Sequence, residues 1–224
     1  MSSVWASDDV SVWQDHLAQV GKRLQALGNV KLEELERWFF DELPVAIAAR
    51  SPKHLTSEEL VRIVDWKLTR GKWRPKLLDY AKSHSETTVR AATSAAFDII
   101  SSTQSAQADL KAAMGSLTEL KGIGPATASA ILTAMSPHVP FMSDEAMAAA
   151  LKGKKEYTLP YFLKYAAAVE EKASSLSTEG CMFTPKDVER ALWSEAAQQL
   201  KPRKVSGTSQ HTEPDKTLGT KRKR

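Results

Sequence analysis

Apolar residues recur every three or four positions through most of the chain, the spacing that lays one stripe along a helix. Val10, Trp13, Leu17, Val20, Leu24 and Leu27 make the first stripe, started by Ser7, Asp8 and Asp9 and stopped by Gly28. Leu32, Leu35, Trp38 and Phe39 open a second helix, which Pro44 ends or kinks. Thr56-Ser-Glu-Glu59 reads as a capping box for a helix to about Thr69. Arg74-Pro75 begins a short helix to about Ala81, and Ser85 caps another from Glu86 to about Ser101. A Ser/Gln/Ala linker over 101–107 precedes a helix from Asp109 to Gly115. Further helices are predicted from near Pro125, from a Ser143 cap to about Leu151, from Pro160 to about Ser174, and after the Thr184-Pro185 cap. No segment alternates with a period of two, so the expected fold is all-α with about ten helices.

Charge divides the chain in two. Residues 201–224 hold eight Lys/Arg and two Asp/Glu, with one leucine, one valine and no aromatic residue. That composition predicts a disordered basic tail (201–224) behind a helical domain (1–200). Lys201-Pro-Arg-Lys204 and Lys221-Arg-Lys-Arg224 read as nuclear localisation signals or phosphate contacts, and the expected location is the nucleus. Without the tail, the body carries a net charge of −2 despite an overall +4. A uniformly basic nucleic-acid-binding body is excluded, so any such contact is a local patch.

Composition excludes other classes. The single cysteine, Cys181, rules out an intramolecular disulfide framework and a four-cysteine zinc or iron–sulfur site within the chain. The five histidines contain no close pair at zinc-ligand spacing. No apolar run reaches the ~18 residues of a membrane span. The opening MSSVWASDDV lacks the basic region of a secretory signal, and the expectation is a soluble intracellular protein.

The most informative stretch is Leu120-Lys-Gly-Ile-Gly-Pro-Ala-Thr-Ala-Ser-Ala-Ile-Leu132. Two glycines flank one apolar residue between two predicted helices. Ile123 would tuck under the turn and tie the helices together. Pro125 suits the first position of the second helix, whose free N–H groups would point outward beside an uncluttered Gly122 and Gly124. Such a turn binds phosphate without a basic side chain. It also fits an ordinary tight turn between core helices.

The stretch resembles the helix-hairpin-helix of the base-excision DNA glycosylase superfamily, in which a Gly/Pro-rich loop and a catalytic aspartate follow the hairpin. Here Val139-Pro140-Phe141-Met142-Ser143-Asp144 fits that loop, and Asp144 falls 20 positions after Gly124, the spacing that the family uses. The resemblance covers about 30 residues of this sequence. It implies a two-subdomain, all-helical glycosylase-like fold. It also implies duplex DNA bound by Lys121, Gly122, Ile123, Gly124, Pro125, Ala126 and Thr127, and a catalytic Asp144. A K⁺ or Na⁺ ion on the backbone carbonyls of Thr118, Leu120 and Ile123 is implied as well, with no other cofactor. Bifunctional members carry a lysine where Ala126 stands, so lyase activity by that route is expected to be absent, and Lys121 lies on the wrong side to replace it. Glu145-Ala146 after the aspartate departs from the family's small or polar residue and histidine, and the cysteine cluster of some members is missing.

Cleaving an N-glycosidic bond develops an oxocarbenium-like sugar, which one carboxylate can stabilise while it orients or deprotonates water. The base must first leave the stack and enter a pocket. Asp144 equally suits the first turn of the helix after Ser143, and Glu145 is a competing carboxylate. A second patch, Trp66 to Lys76, holds five bases and two tryptophans around a glycine turn. Arg70, Lys72, Trp73 and Arg74 are its expected DNA contacts, while Trp66 is expected in the core. Tyr157, Tyr161, Phe162 and Tyr165 are read as core, and Cys181 as inert.

The expected activity is that of a monofunctional DNA glycosylase acting as a monomer on double-stranded DNA, with no membrane partner. Two alternatives stay open. One is a non-catalytic binder of DNA structures with the same fold. The other is a helical interaction module in which Gly-Ile-Gly is only a turn.

Overall fold

A computed structural model describes residues 2–102 and 107–200. The predicted tail with its basic runs, and residues 103–106 of the predicted linker, lie outside the described residues. Twelve α-helices and one π-helical turn are present among the described residues, with no strand.

The N-terminal stripe forms two helices rather than one. Helix α1 (Val10–Ala18) starts at Asp9, whose carboxylate accepts from the Ser11 N–H, and α2 runs Val20–Ala26. The break at Gln19 redirects the stripe. Trp13 packs into the main core, whereas Val20 and Leu24 pack with Leu32, Trp193 and Ala197 in a small second cluster. Pro44 kinks the next segment without ending it. Helix α3 (Val30–Arg37) passes through the π turn Trp38–Glu42 into α4 (Leu43–Ala48), with Pro44 in its first turn. A proline has no N–H to return to the preceding turn, and the ladder widens there.

The capping box at Thr56 is formed: Thr56 Oγ1 accepts from the Glu59 N–H and the Glu59 carboxylate accepts from the Thr56 N–H. It starts α5 (Ser57–Arg70), and α6 (Pro75–Lys82) follows after the Gly71 turn. Helices α7 (Glu86–Ser102) and α8 (Gln107–Thr118) pack side by side. The hairpin joins α8 to α9 (Pro125–Met135), which lies at the centre of the molecule against α4, α5, α7 and α8. Residues Ala126 to Ala134 of α9 are buried without interruption, so no amphipathic stripe marks it. A Pro-containing loop then leads to α10 (Asp144–Ala150), α11 (Leu159–Leu176) and α12 (Pro185–Ala197). No helix of the described residues is long and apolar enough to cross a membrane.

Candidate functional site

The hairpin is built as its residues dictate, with one difference. Ile123 is buried beneath the turn. Gly122 takes φ +85°, a conformation that favours glycine. A Cβ there would lie 2.5 Å from the Cβ of Tyr80. The space beside Gly122, expected to be open to a ligand, is therefore filled by the protein's own α6. Lys121 Nζ sits 5.0 Å from the centre of the same Tyr80 ring, and His84 Nε2 is 2.9 Å from the Lys121 carbonyl. Gly124 differs: it is exposed, its φ of −95° suits any residue, and nothing lies within 4 Å of where its Cβ would stand. The two glycines thus separate by role, one fitting the fold and one leaving an open approach.

That separation gives a paired prediction. Gly122→Ala should destabilise the protein by about 1–3 kcal/mol through backbone strain, besides the clash with Tyr80. Gly124→Ala should leave the thermal unfolding midpoint unchanged while weakening any backbone-approaching ligand at the hairpin. Thermal denaturation and a duplex-binding titration on both variants read the two effects separately.

The start of α9 exposes fewer donors than the sequence suggests. Pro125 has none, and the N–H groups of Thr127 and Ala128 both return to the Gly124 carbonyl at 2.9 Å. The Gly124 and Ala126 N–H groups are left without partners among the described residues. The side chains of Ala126 and Thr127 are buried, so those residues can meet a ligand only through backbone. Of the three carbonyls named for a cation, that of Leu120 accepts from the Ile123 N–H at 3.0 Å, while those of Thr118 and Ile123 receive no backbone N–H.

Asp144 is presented by a loop pinned to α9. Ser129 Oγ accepts from the Met142 N–H at 3.0 Å, Thr133 Oγ1 donates to the Val139 carbonyl at 2.9 Å, and Tyr165 donates to the Phe141 carbonyl at 2.9 Å. These three buried hydroxyls satisfy a buried loop backbone that would otherwise lack partners. Ser143 caps α10, accepting from the Ala146 N–H, so Asp144 is not the cap. The Asp144 side chain is half exposed, accepts from Tyr157 Oη at 2.5 Å, and lies 3.9 Å from Lys155 Nζ. Burial, followed by that hydrogen bond and the Asp144 charge, pushes the Tyr157 phenol up to about 12. At neutral pH it is therefore a donor, never a phenolate.

Asp144 and Tyr157 line a pocket of about 260 Å³. Gly124 and the first turn of α9 form another part of the wall, and Lys67, Lys72 and Arg74 of the basic segment complete it. Two stretches about fifty residues apart in sequence, the hairpin and the Trp66–Lys76 patch, meet here with the loop carrying Asp144. Lys72, Trp73 and Arg74 are exposed, with Trp73 carrying Lys31 Nζ 5.7 Å from its ring centre.

Arg70 departs from expectation. Its side chain is 3% exposed, with Nη2 donating to Glu189 at 2.7 Å and Nη1 paired with Glu36 at 3.4 Å. Trp66, Phe141 and Trp193 surround the guanidinium at 5.4, 5.4 and 4.6 Å. Arg70 is thus a charge in the floor beneath the pocket, and is not free to bind a phosphate. Burial raises the pKa of both glutamates, with Arg70 pulling each back. Trp66 is fully buried, as expected.

Sequence reasoning missed Tyr157, which it placed in the core. Phe162 and Tyr165 are indeed buried, but Tyr157 lies outside α11, before its Thr158 cap. It also did not single out Lys67, one turn before Arg70 on α5, which lines the pocket. Ser129 and Thr133 carried a faint signal as hydroxyls inside an otherwise apolar helix. Among the described residues no three His, Cys, Asp or Glu side chains gather as a metal site.

The geometry defines an all-helical protein with a small, basic-rimmed pocket lined by two neighbouring carboxylates, Asp144 and Glu145. No family profile, curated protein or solved structure matches the chain.

Proposed function

We propose that this protein is a monofunctional DNA glycosylase of helix-hairpin-helix type, which excises a damaged or mismatched base flipped from duplex DNA. The observation that carries the reading is the convergence at one pocket of Asp144, the α9 N-terminus and the exposed cations Lys72 and Arg74. Small-molecule sites run from about 300 Å³ upward. A 260 Å³ pocket therefore suits one planar base better than a whole nucleotide.

In this reading, the hairpin receives a phosphate on the Gly124 and Ala126 N–H groups at the positive end of α9. Gly124 lets the strand approach closely, as nothing occupies its Cβ position. Lys72 and Arg74 hold the phosphates flanking the extruded nucleotide, and Trp73 stacks against or wedges beside a base. The carbonyls of Thr118, Leu120 and Ile123 offer oxygen atoms only, which suits the hard monovalent cation that the resemblance implies. That ion would add positive charge beside the same phosphate.

Asp144 carries the chemistry. Its carboxylate sits where the C1′ cation develops and can take a proton from the attacking water. Tyr157 orients it by donating to Oδ1, and Oδ2, 3.9 Å from Lys155 Nζ, is the oxygen that serves the reaction. That same hydrogen bond favours the second reading, a non-catalytic binder, since a carboxylate held by Tyr157 and Lys155 is partly committed already.

The test is a panel of duplexes, each carrying a single lesion or mismatch, incubated with the protein and then cleaved at abasic sites with alkali. Strand breaks at one lesion class are the expected result. Tight binding with no break on any duplex would overturn the catalytic reading and leave the binder. No binding at all would overturn both.

A further inference from the structure

The pocket holds a second carboxylate that the reaction at Asp144 leaves unused. Glu145 stands beside Asp144 in the first turn of α10 and lines the same pocket. An acid in that place often does no more than complement the helix dipole from solvent. Glu145 is partly buried and faces inward instead. Its charge reaches Tyr157 on the pocket wall and Arg70, Tyr165 and Glu189 in the floor. Arg70, the cation it faces, already donates to Glu189 and pairs with Glu36. No group among the described residues donates a hydrogen bond to the Glu145 carboxylate, and its oxygens stay accessible. Asp144 differs, since Tyr157 donates to one of its oxygens and Lys155 lies near the other. With Asp144 turned to the sugar, Glu145 is the acceptor left for the base.

A base taken out of the stack is read at its Watson–Crick edge. A carboxylate can only accept there. Guanine sets its ring N1–H beside its exocyclic 2-amine, so two parallel N–H groups meet the two oxygens. Adenine and cytosine place a ring acceptor beside their amine. Thymine and uracil flank a single N–H with two carbonyls. Each of those four sets a lone pair against the carboxylate. The apolar side chains of Leu77, Phe141 and Met142 in the same pocket offer nothing to offset that mismatch.

Resting on the base-flipping pocket of the proposed function, we propose that Glu145 is the specificity-determining residue and selects a guanine-type base through its N1–H and 2-amine. The substrate class is guanine, mispaired or modified elsewhere on the ring, that keeps both donors. Neighbours on one helical turn thus divide the nucleotide, Asp144 acting on the sugar and Glu145 reading the base.

The test compares duplexes carrying guanine or hypoxanthine opposite thymine. Hypoxanthine is guanine without the 2-amine, and both form the same wobble pair, so the cost of flipping is matched. A 2′-fluorinated sugar at the target keeps the glycosidic bond intact, and binding is read without chemistry. Full-length wild type should bind the guanine duplex about 10- to 100-fold more tightly, the worth of one hydrogen bond to a charged group. Glu145→Gln keeps the shape but presents one acceptor and one donor, the pattern that matches adenine. It should lose the preference for guanine and bind an adenine–cytosine mismatch more tightly than wild type does. Equal binding of guanine and hypoxanthine by wild type would overturn the proposal, and that comparison does not depend on whether a variant folds. An undiminished guanine preference in Glu145→Gln would overturn it as well. Excision is scored separately on the lesion panel with natural sugars. Excision without a guanine preference sinks the role of Glu145 alone. A guanine preference with no excision on any duplex sinks the glycosylase reading and leaves a guanine-reading binder. No binding to any duplex sinks both.

Discussion

Asp144→Asn should abolish base excision while leaving the fold and duplex binding in place. The side chain keeps its shape, and the amide oxygen can still accept from Tyr157, so the pocket geometry survives. What disappears is the negative charge facing the developing sugar cation and the site that takes a proton from water. Removing one such preorganised electrostatic group typically costs about 10²–10³ in kcat. Stability should fall by only about 0.3–1 kcal/mol, the worth of an acidic residue in the first turn of a helix. The cap itself comes from Ser143, so the helix keeps its start. Duplex affinity should hold or rise, because a negative charge has left a phosphate-rich neighbourhood. Single-turnover strand cleavage, read beside thermal denaturation and a binding isotherm, separates these effects. Full activity in Asp144→Asn would remove this residue from the chemistry and turn attention to Glu145, which lines the same pocket.

Local signals in the sequence were read well. The capping box at Thr56, the Ser143 cap and the Pro185 start all depend on neighbours within four residues, and all stand where the spacing puts them. The turn of Gly122 and the burial of Ile123 were legible for the same reason. Partners distant in the chain were not. Nothing near Gly122 in sequence announces Tyr80, about forty residues earlier, so from sequence alone that side looks open to a ligand. Arg70 stands amid Lys67, Lys72 and Arg74, and composition alone ranks the four together. Only the arrival of Glu36 from α3 and Glu189 from α12 makes one of them internal. The trace this left in the sequence is that Arg70 stands on the same helical face as the buried Ile63 and Trp66, a face it shares with Lys67. Tyr157 was hidden by its neighbours, because a loop aromatic just before a helix borrows the periodicity of that helix.

Arg70→Met should be among the most destabilising single changes in the body, costing about 3–5 kcal/mol, the range for removing one partner of a buried ion pair. Against the roughly 5–15 kcal/mol that holds a typical domain together, that is a large share. The loss is not the attraction itself. It is the cost of leaving Glu36 and Glu189 buried, 3% and 0% exposed, with no cation between them. The methionine stem would still fill the space among Trp66, Phe141 and Trp193, so packing changes little. The pH dependence distinguishes this cause from a cavity. In wild type, burial already raises the pKa of both glutamates, and without Arg70 they rise further. A carboxyl whose folded pKa exceeds its unfolded value favours the fold below the unfolded value and loses that contribution as pH rises through the folded one. The stability gap between Arg70→Met and wild type should therefore be smallest near pH 4–5 and widen toward neutrality. Urea denaturation of both proteins across that range measures it, and a gap independent of pH would show that Arg70 holds the pocket floor by packing rather than by charge. Pairing Arg70→Met with Glu36→Gln and Glu189→Gln should recover most of the loss, since the buried charges then vanish together. Excision by that triple variant would show whether the floor serves only to carry Phe141, Ser143 and the loop that sets Asp144.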